Sequence, residues 1–327
     1  MTISEIAKLA GVAPATVSRY LNNGYVSKEK KAIIKKVIDE TGYVPLPSAQ
    51  TMRTGRSHMI AVIVPKLNSE SISEMVDGIT SGLSGTGYNP ILANTSNSVT
   101  KELEYLRIFK ENDVDGVILI GTVITDKHHE IMKAYNKPIV ILSQFDSNYS
   151  CVYYDNYSAA RMATEHLIRM GCRKIANIYV IPSDKAAGEN RIKGFRDALD
   201  ARGVVYDKRL SEQSNFTLQG GYDAMKRIVD KKIEFDGLFC ATDTIAMGAR
   251  CCLTDNGIQI PEQVRVASVG DSRMAEVLRP SLTSVHLHYR TGGKEAVNII
   301  LEKIKDNDNI IKQYKLGCDL IVRASTK

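Results

Sequence analysis

The chain has 327 residues, too long for one ordinary domain of about 100–200 residues and long enough to bury a sizeable core. Hydrophobic residues make up 43% and charged ones 24%, which excludes a disordered chain, a coiled coil and a collagen-like fibre. The net charge of +6 is uneven: residues 1–57 carry nine Lys/Arg against four Asp/Glu while the rest is nearly balanced, as expected of a polyanion-binding head on a ligand-binding body.

Thr2-Ile-Ser-Glu5 has the spacing of a capping box, and Ile6, Ala7, Leu9 and Ala10 come next as an apolar face ending at Gly11. Pro14 then stands where a second helix can open, because its missing N–H costs nothing in the first turn, and the helix runs on through Leu21. Only Gly11, Val12 and Ala13 separate the two, the tight turn of a helix-turn-helix. A third helix has Ser27 as its expected cap, Ile33, Ile34, Val37 and Ile38 as its buried stripe, and Gly42 as its stop. The sequence therefore predicts a small all-α helix-turn-helix domain over residues 1–45. In such a domain the start of the second helix faces base edges while nearby hydroxyls and cations hold phosphates, which selects Ala15, Thr16, Ser18 and Arg19.

Pro45 and Pro47 break the third helix, and residues 46–57 read as a linker with about two turns of helix, too short to hold alone in water.

From Met59 apolar runs alternate with helix-length segments: MIAVIVP, PILANT, DGVILIG and PIVILS, then KIANIYV, FDGLFCAT and VRVASVG. Continuous apolar strands separated by helices predict parallel sheets covered on both faces, here an α/β body over 58–327 with two parallel-sheet subdomains. The expected boundaries are about 58–154 with 286–313, and about 155–285 with 314–327. Ligands bind outside the carboxyl ends of such strands, and two facing sheets make a cleft. The residues leaving those ends are Asn68, Ser69, Ser71, Thr122, Gln144, Asp155, Asp243 and Asp271. They are small and polar, suited to sugar hydroxyls, and equally common as helix caps.

Enzymatic readings find little. Gly82-Leu-Ser-Gly-Thr-Gly87 lacks the GxGxxG spacing and comes after a helix, no GxxxxGK[ST] occurs, and no serine or cysteine has a nucleophile-elbow context. His128-His129 and His286 with His288 read as an exposed helix start and an alternating strand, with no second ligand cluster for a metal. The six cysteines have no CxxC spacing and read as buried reduced thiols. No basic start leads into an apolar run and no stretch approaches the roughly 18 apolar residues of a membrane span, so a cytoplasmic protein without cofactor, metal or membrane partner is expected. A periplasmic-type sugar-binding protein without a DNA role is the alternative, opposed by the basic head.

The stretch IAKLAGVAPATVSRYLNNGYVSKEKKAIIKKVIDETGYVP resembles the DNA-binding head of the lactose-repressor family of bacterial regulators, and YYDNYSAARMATEHLIRMGCRKIANI, ATDTIAMGA and RPSLTSV resemble signatures of its body. The resemblance spans residues 2–325. It implies a periplasmic-binding-protein-like body and a homodimer on operator DNA, in a transcriptional regulator of carbohydrate use. It also implies DNA contacts from Thr2, Pro14, Ala15, Thr16, Ser18, Arg19 and Asn22. The linker becomes a hinge helix, with Ala49, Gln50 and Met52 at the minor groove and Met52 as the apolar wedge.

The chain departs from the family at Ala13, where a capping Ser is usual, and at Pro14 and Ala15, which have no side-chain hydrogen-bonding group. Base reading then leans on methyl contacts and Arg19. Gln50 and Leu46 also differ from the family's hinge. In the body, Arg191 falls on the family's effector-binding Arg, with Lys185, Phe216 and Asp243 on other pocket positions. Among relatives the body is most similar to trehalose-type repressors. That implies a disaccharide such as trehalose 6-phosphate, its phosphate held by Lys185 and Arg191, or sucrose. The sequence carries no signal for a protein corepressor.

Overall fold

The computed structural model describes residues 1–21, 24–43, 56–306 and 310–327. The chain divides into two units, Met1–His58 and Met59–Lys327.

In the first unit α1 (Ile3–Leu9), α2 (Pro14–Leu21) and α3 (Lys28–Thr41) form the helical head. The capping box forms: the Thr2 N–H donates to Glu5 Oε2 at 2.7 Å and the Glu5 N–H to Thr2 Oγ1 at 3.3 Å. Gly11 takes φ +62° in the turn, a left-handed conformation that a side chain would strain. Ala13 contributes only its carbonyl to the start of α2, accepting the Thr16 N–H at 2.8 Å. Ser27 likewise holds α3 through its carbonyl, which accepts the Lys31 N–H, and makes no side-chain cap. Ile6, Ala7, Ala10, Val17, Val26, Ile34 and Tyr43 fill the core. Leu9 and Ile33, expected inside, are 60% and 43% exposed, because each short helix packs one narrow stripe and these two lie at its margin.

The body holds two six-stranded sheets. The first uses β1 (Met59–Val64), β2 (Asn89–Asn94), β3 (Gly116–Ile120), β4 (Ile139–Leu142), β5 (Ser150–Tyr154) and β11 (Gln313–Leu316), in the order β11-β5-β4-β3-β1-β2, every pair parallel. Its two faces are covered by α4 (Glu70–Leu83) with α12 (Tyr289–Asp306), and by α5 (Val99–Glu111) with α6 (Asp126–Lys133). The second uses β6 (Ile175–Tyr179), β7 (Ser211–Gln213), β8 (Gly237–Cys240), β9 (Arg265–Gly270), β10 (Thr283–Leu287) and β12 (Cys318–Ile321), ordered β12-β10-β9-β8-β6-β7. It packs between α7 (Asn156–Arg169) with α8 (Arg191–Asp200), and α9 (Leu218–Asp230) with α10 (Asp243–Asp255). A short α11 (Arg273–Val277) comes after β9.

The chain passes between the sheets at Asp155, His288 and Gly317. Two of these points differ from expectation. β10 stays in the second sheet through Leu287, and β11, paired with Cys151–Tyr154, stays in the first through Leu316. β12 is antiparallel to β10. It must be, since the chain enters the second sheet from the carboxyl ends of its strands with no helix to turn it round.

His128 is not at an exposed helix start. It is fully buried, its Nδ1 accepts the Thr125 N–H at 3.1 Å, and its Nε2 lies 2.9 Å from the buried Glu102 carboxylate. His286 and His288 instead pair with Asp271 and Asp319. Cys151, Cys172, Cys240 and Cys252 are buried thiols, whereas Cys251 is exposed on α10 and Cys318 is half-buried. No helix among the described residues is long and apolar enough to cross a membrane.

Candidate functional site

In the head, α2 presents Pro14, Ala15 and Arg19 exposed and Thr16 and Ser18 half-buried, while Val17 anchors the helix beneath them. Thr2 is exposed at the cap of α1. Tyr25, 94% exposed between α2 and α3, adds an aromatic side chain that periodicity could not single out. Asn22, Ala49, Gln50 and Met52, with residues 46–55 of the hinge segment, lie outside the described residues.

In the body, a cavity of about 140 Å³, room for one ring-sized molecule, opens where the carboxyl ends of the two sheets face each other. Ser69, Ser71, Thr122, Arg191, Phe216 and Asp243 line it, as do Lys66, Glu70, Glu74, Asn156 and Asp184. Tyr154 and Tyr289, edge to face at 5.0 Å, form part of its wall.

Arg191 reaches the cavity by an unusual route. Asp184 caps a π-helical turn over Lys185–Asn190, and α8 begins directly at Arg191. Such a turn inserts a residue and rotates the succeeding helix. It depends on Gly188, where a Cβ would stand 2.1 Å from the Ile181 carbonyl oxygen. The Arg191 side chain is buried, its Nε donating to Asn156 Oδ1 at 2.8 Å and its Nη1 to the Ala241 carbonyl. Lys185, on the far side of the same turn, is exposed and does not line the cavity. Of the two residues expected to clamp a phosphate, Lys185 and Arg191, only Arg191 lines the cavity in this structure.

Asp243, at the start of α10, is held by three donors: Ser268 Oγ at 2.6 Å, Ser284 Oγ at 2.5 Å and the Ser272 N–H at 2.6 Å. Asp184 accepts the Ala187 N–H at 3.0 Å and Gln144 Nε2 at 2.8 Å, and burial still holds its carboxyl above the usual carboxylate range. Gln144 does not face the cavity but ties Asp184 to the Thr122 carbonyl at 2.8 Å.

Three other expected residues lie elsewhere. Asn68 is exposed before α4. Asp155 sits at the first crossover, capping α7 through the Ser158 N–H and pairing with Lys315 at 2.7 Å. Asp271 is turned away at φ +54°, its carboxylate held by His286 at 3.1 Å and Arg323 at 2.7 Å, and the neighbouring Ser272 lines the cavity instead.

Contacts cross the cleft. Glu70 of the first sheet's α4 meets Arg273 of the second subdomain, Gln144 meets Asp184, and Lys66 lies over the Phe216 ring at 5.1 Å from its centroid. Burial pulls the Lys66 ammonium below its usual range. Burial, reinforced by Glu70 and Asp271 against the opposing His286 and Arg273, pushes the Glu74 carboxyl up.

Residues 2–46 match the family described as bacterial regulatory proteins, lacI family, and residues 164–326 match a periplasmic binding protein-like domain. The HTH-type transcriptional repressor PurR of Vibrio atlanticus (strain LGP32) is 31% identical over 330 residues, covering 100% of this chain and 98% of the relative. The chain belongs to the lacI family of bacterial regulatory proteins.

Among solved lacI-type structures, the complex of the transcriptional regulator CelR with cellobiose is 30% identical with a TM-score of 0.78 over 99% of both chains. The lac repressor dimer bound to operator and the anti-inducer ONPF shares the fold at a TM-score of 0.92, with 21% identity over 100% of this chain and 99% of that one.

For this lacI-family body, half of the expected strand-end residues, Ser69, Ser71, Thr122 and Asp243, line the cavity. Asn156 follows the expected Asp155, and Asp184 precedes Lys185, which the family resemblance implied. Both belong to helical caps, where neighbouring side chains diverge by about 100°. Tyr154 and Tyr289 carried no polar signal, and Glu74 lies a full turn inside α4.

Proposed function

We propose that this lacI-family protein represses a carbohydrate-utilisation operon as a homodimer, its heads on a two-fold-symmetric operator and its cleft closing on a sugar that changes operator affinity. The carrying observation is the cavity at the facing strand ends, where Arg191, Asn156, Asp184 and Asp243 put donors and acceptors within a wall of Tyr154, Tyr289 and Phe216. Hydroxyl-rich rings match that mixture, the polar edge to the carboxylates and amides and the apolar face to the aromatics. The cellobiose complex of CelR supports a sugar, and the operator-bound lac repressor dimer supports two heads on one operator.

A sugar can switch the protein only by binding one arrangement of the subdomains better than the other. The cross-cleft contacts of Glu70, Gln144 and Lys66 give the closed arrangement its own stabilisation. Nothing in this scheme asks for catalysis, a metal or a cofactor, and a regulator of this kind works in the cytoplasm. A gel-shift titration with operator DNA and a panel of sugars and sugar phosphates at fixed salt tests the reading. Unchanged operator affinity across the whole panel would overturn it.

A further inference from the structure

The cleft's six charged side chains are unequally occupied. Arg191 is engaged by Asn156 and the Ala241 carbonyl. Glu70 accepts both the N–H and the Nε of Arg273, at 2.8 and 3.1 Å. Asp184 and Asp243 are each held by two or three donors. Lys66 rests on the Phe216 ring. Among the charged side chains lining the cavity, Glu74 alone has no hydrogen bond, ion pair or ring contact to any described residue.

Four carboxylates therefore face two cations, one of the cations already engaged and one carboxylate open. An anion entering this space meets like charge at short range in a partly desolvated site, where repulsion is poorly screened. An uncharged polyol meets no such penalty, and two adjacent hydroxyls can donate to the two oxygens of one carboxylate.

We propose that Glu74 is the residue that selects the effector, accepting hydroxyl hydrogens of an uncharged sugar and excluding its phosphorylated form. This rests on the reading of the cleft as the effector site. The groups around Glu74 agree with it. Glu70 and Asp271 place Glu74 in the same negative field that an entering phosphate would meet, His286 and Arg273 of the second subdomain oppose that field, and the Tyr154 and Tyr289 rings supply no cation. Glu74 is thus a hydrogen-bonding group with unmet capacity at the wall of the cavity.

The experiment measures binding to the full-length protein by calorimetry for matched pairs: glucose and glucose 6-phosphate, ribose and ribose 5-phosphate, trehalose and trehalose 6-phosphate, sucrose and sucrose 6-phosphate. At least one neutral member should bind, and its phosphate should bind at least tenfold more weakly. Glu74→Gln should weaken the neutral sugar at least tenfold, with operator affinity and melting temperature retained. Glu74→Lys should narrow or reverse the preference within the pair, a change that a merely structural role would not produce. Tighter binding of any phosphate than its parent sugar, or an unaltered neutral-to-phosphate ratio in both variants, overturns the assignment. If that tighter phosphate also shifts operator affinity, Glu74 loses its selecting role while the sugar-switched repressor stands. If no member of any pair binds, both readings fall.

Discussion

Glu70 and Arg273 join the two subdomains: one carboxylate oxygen on α4 accepts the backbone N–H of Arg273 at 2.8 Å and its Nε at 3.1 Å, across 203 residues of chain. The arginine side chain is 93% exposed, so the side-chain pair is a weak one, and the backbone donor fixes the geometry. Arg273→Ala should cost the closed cleft less than about 1 kcal/mol, because the N–H remains. Glu70→Ala removes both bonds and should weaken effector binding by roughly fivefold to tenfold, about 1–1.4 kcal/mol. Calorimetry on the two variants distinguishes these outcomes, and equal losses would show that the backbone bond contributes nothing.

Arg191→Ala should abolish the response to effector while the head still binds operator. It should also lower stability by roughly 1–3 kcal/mol, because it leaves the buried Asn156 Oδ1 and Ala241 carbonyl without their donor. Denaturant unfolding beside a gel shift measures both effects. A variant that keeps its sugar response would remove Arg191 from the site.

His166 sets a pH dependence. It is buried on α7 with its Nε2 2.8 Å from Oγ1 of Thr326, at the carboxyl end of the chain. Burial, with Arg169 adding, lowers its proton affinity. With the folded pKa below the usual 6.5, the unfolded chain takes up a proton first as the pH falls. Stability from the neutral imidazole is therefore present above about pH 6.5 and lost as the pH drops through the folded value. Melting curves between about pH 7.5 and 5 should fall less steeply for His166→Gln than for the parent. Parallel curves would show that other groups govern this range.

The thiols should separate by burial. Cys251 is exposed, whereas Cys151, Cys240 and Cys252 are buried and desolvation pushes each thiol up. Burial raises Cys172 to about 11, with Asp236 adding, so it holds little thiolate at about pH 8. Brief alkylation of the folded protein at about pH 8 should modify Cys251 first and leave these four until unfolding. Peptide mass spectrometry reads the order, and early labelling of Cys240 would contradict the packed second sheet.

The helix-turn-helix, the alternation of strands and helices and the place of the cleft were all legible in the sequence. They obey local rules: a capping box at Thr2, a left-handed turn at Gly11 and apolar runs as long as buried strands. Which polar residues the cleft receives was a matter of tertiary structure. Asp155 and Asp271 leave strand ends as expected, yet Lys315, His286 and Arg323 hold them away from the cavity, and all three partners come from other elements of the chain. Arg191, Asp184 and Glu74 enter the cavity because a π-helical turn, its N-cap and the pitch of α4 place them there, which residue type alone does not encode. Local chemistry fixed the elements, and the charge of the site emerged only when two sheets, joined by three crossings, brought six distant ionic side chains into one space.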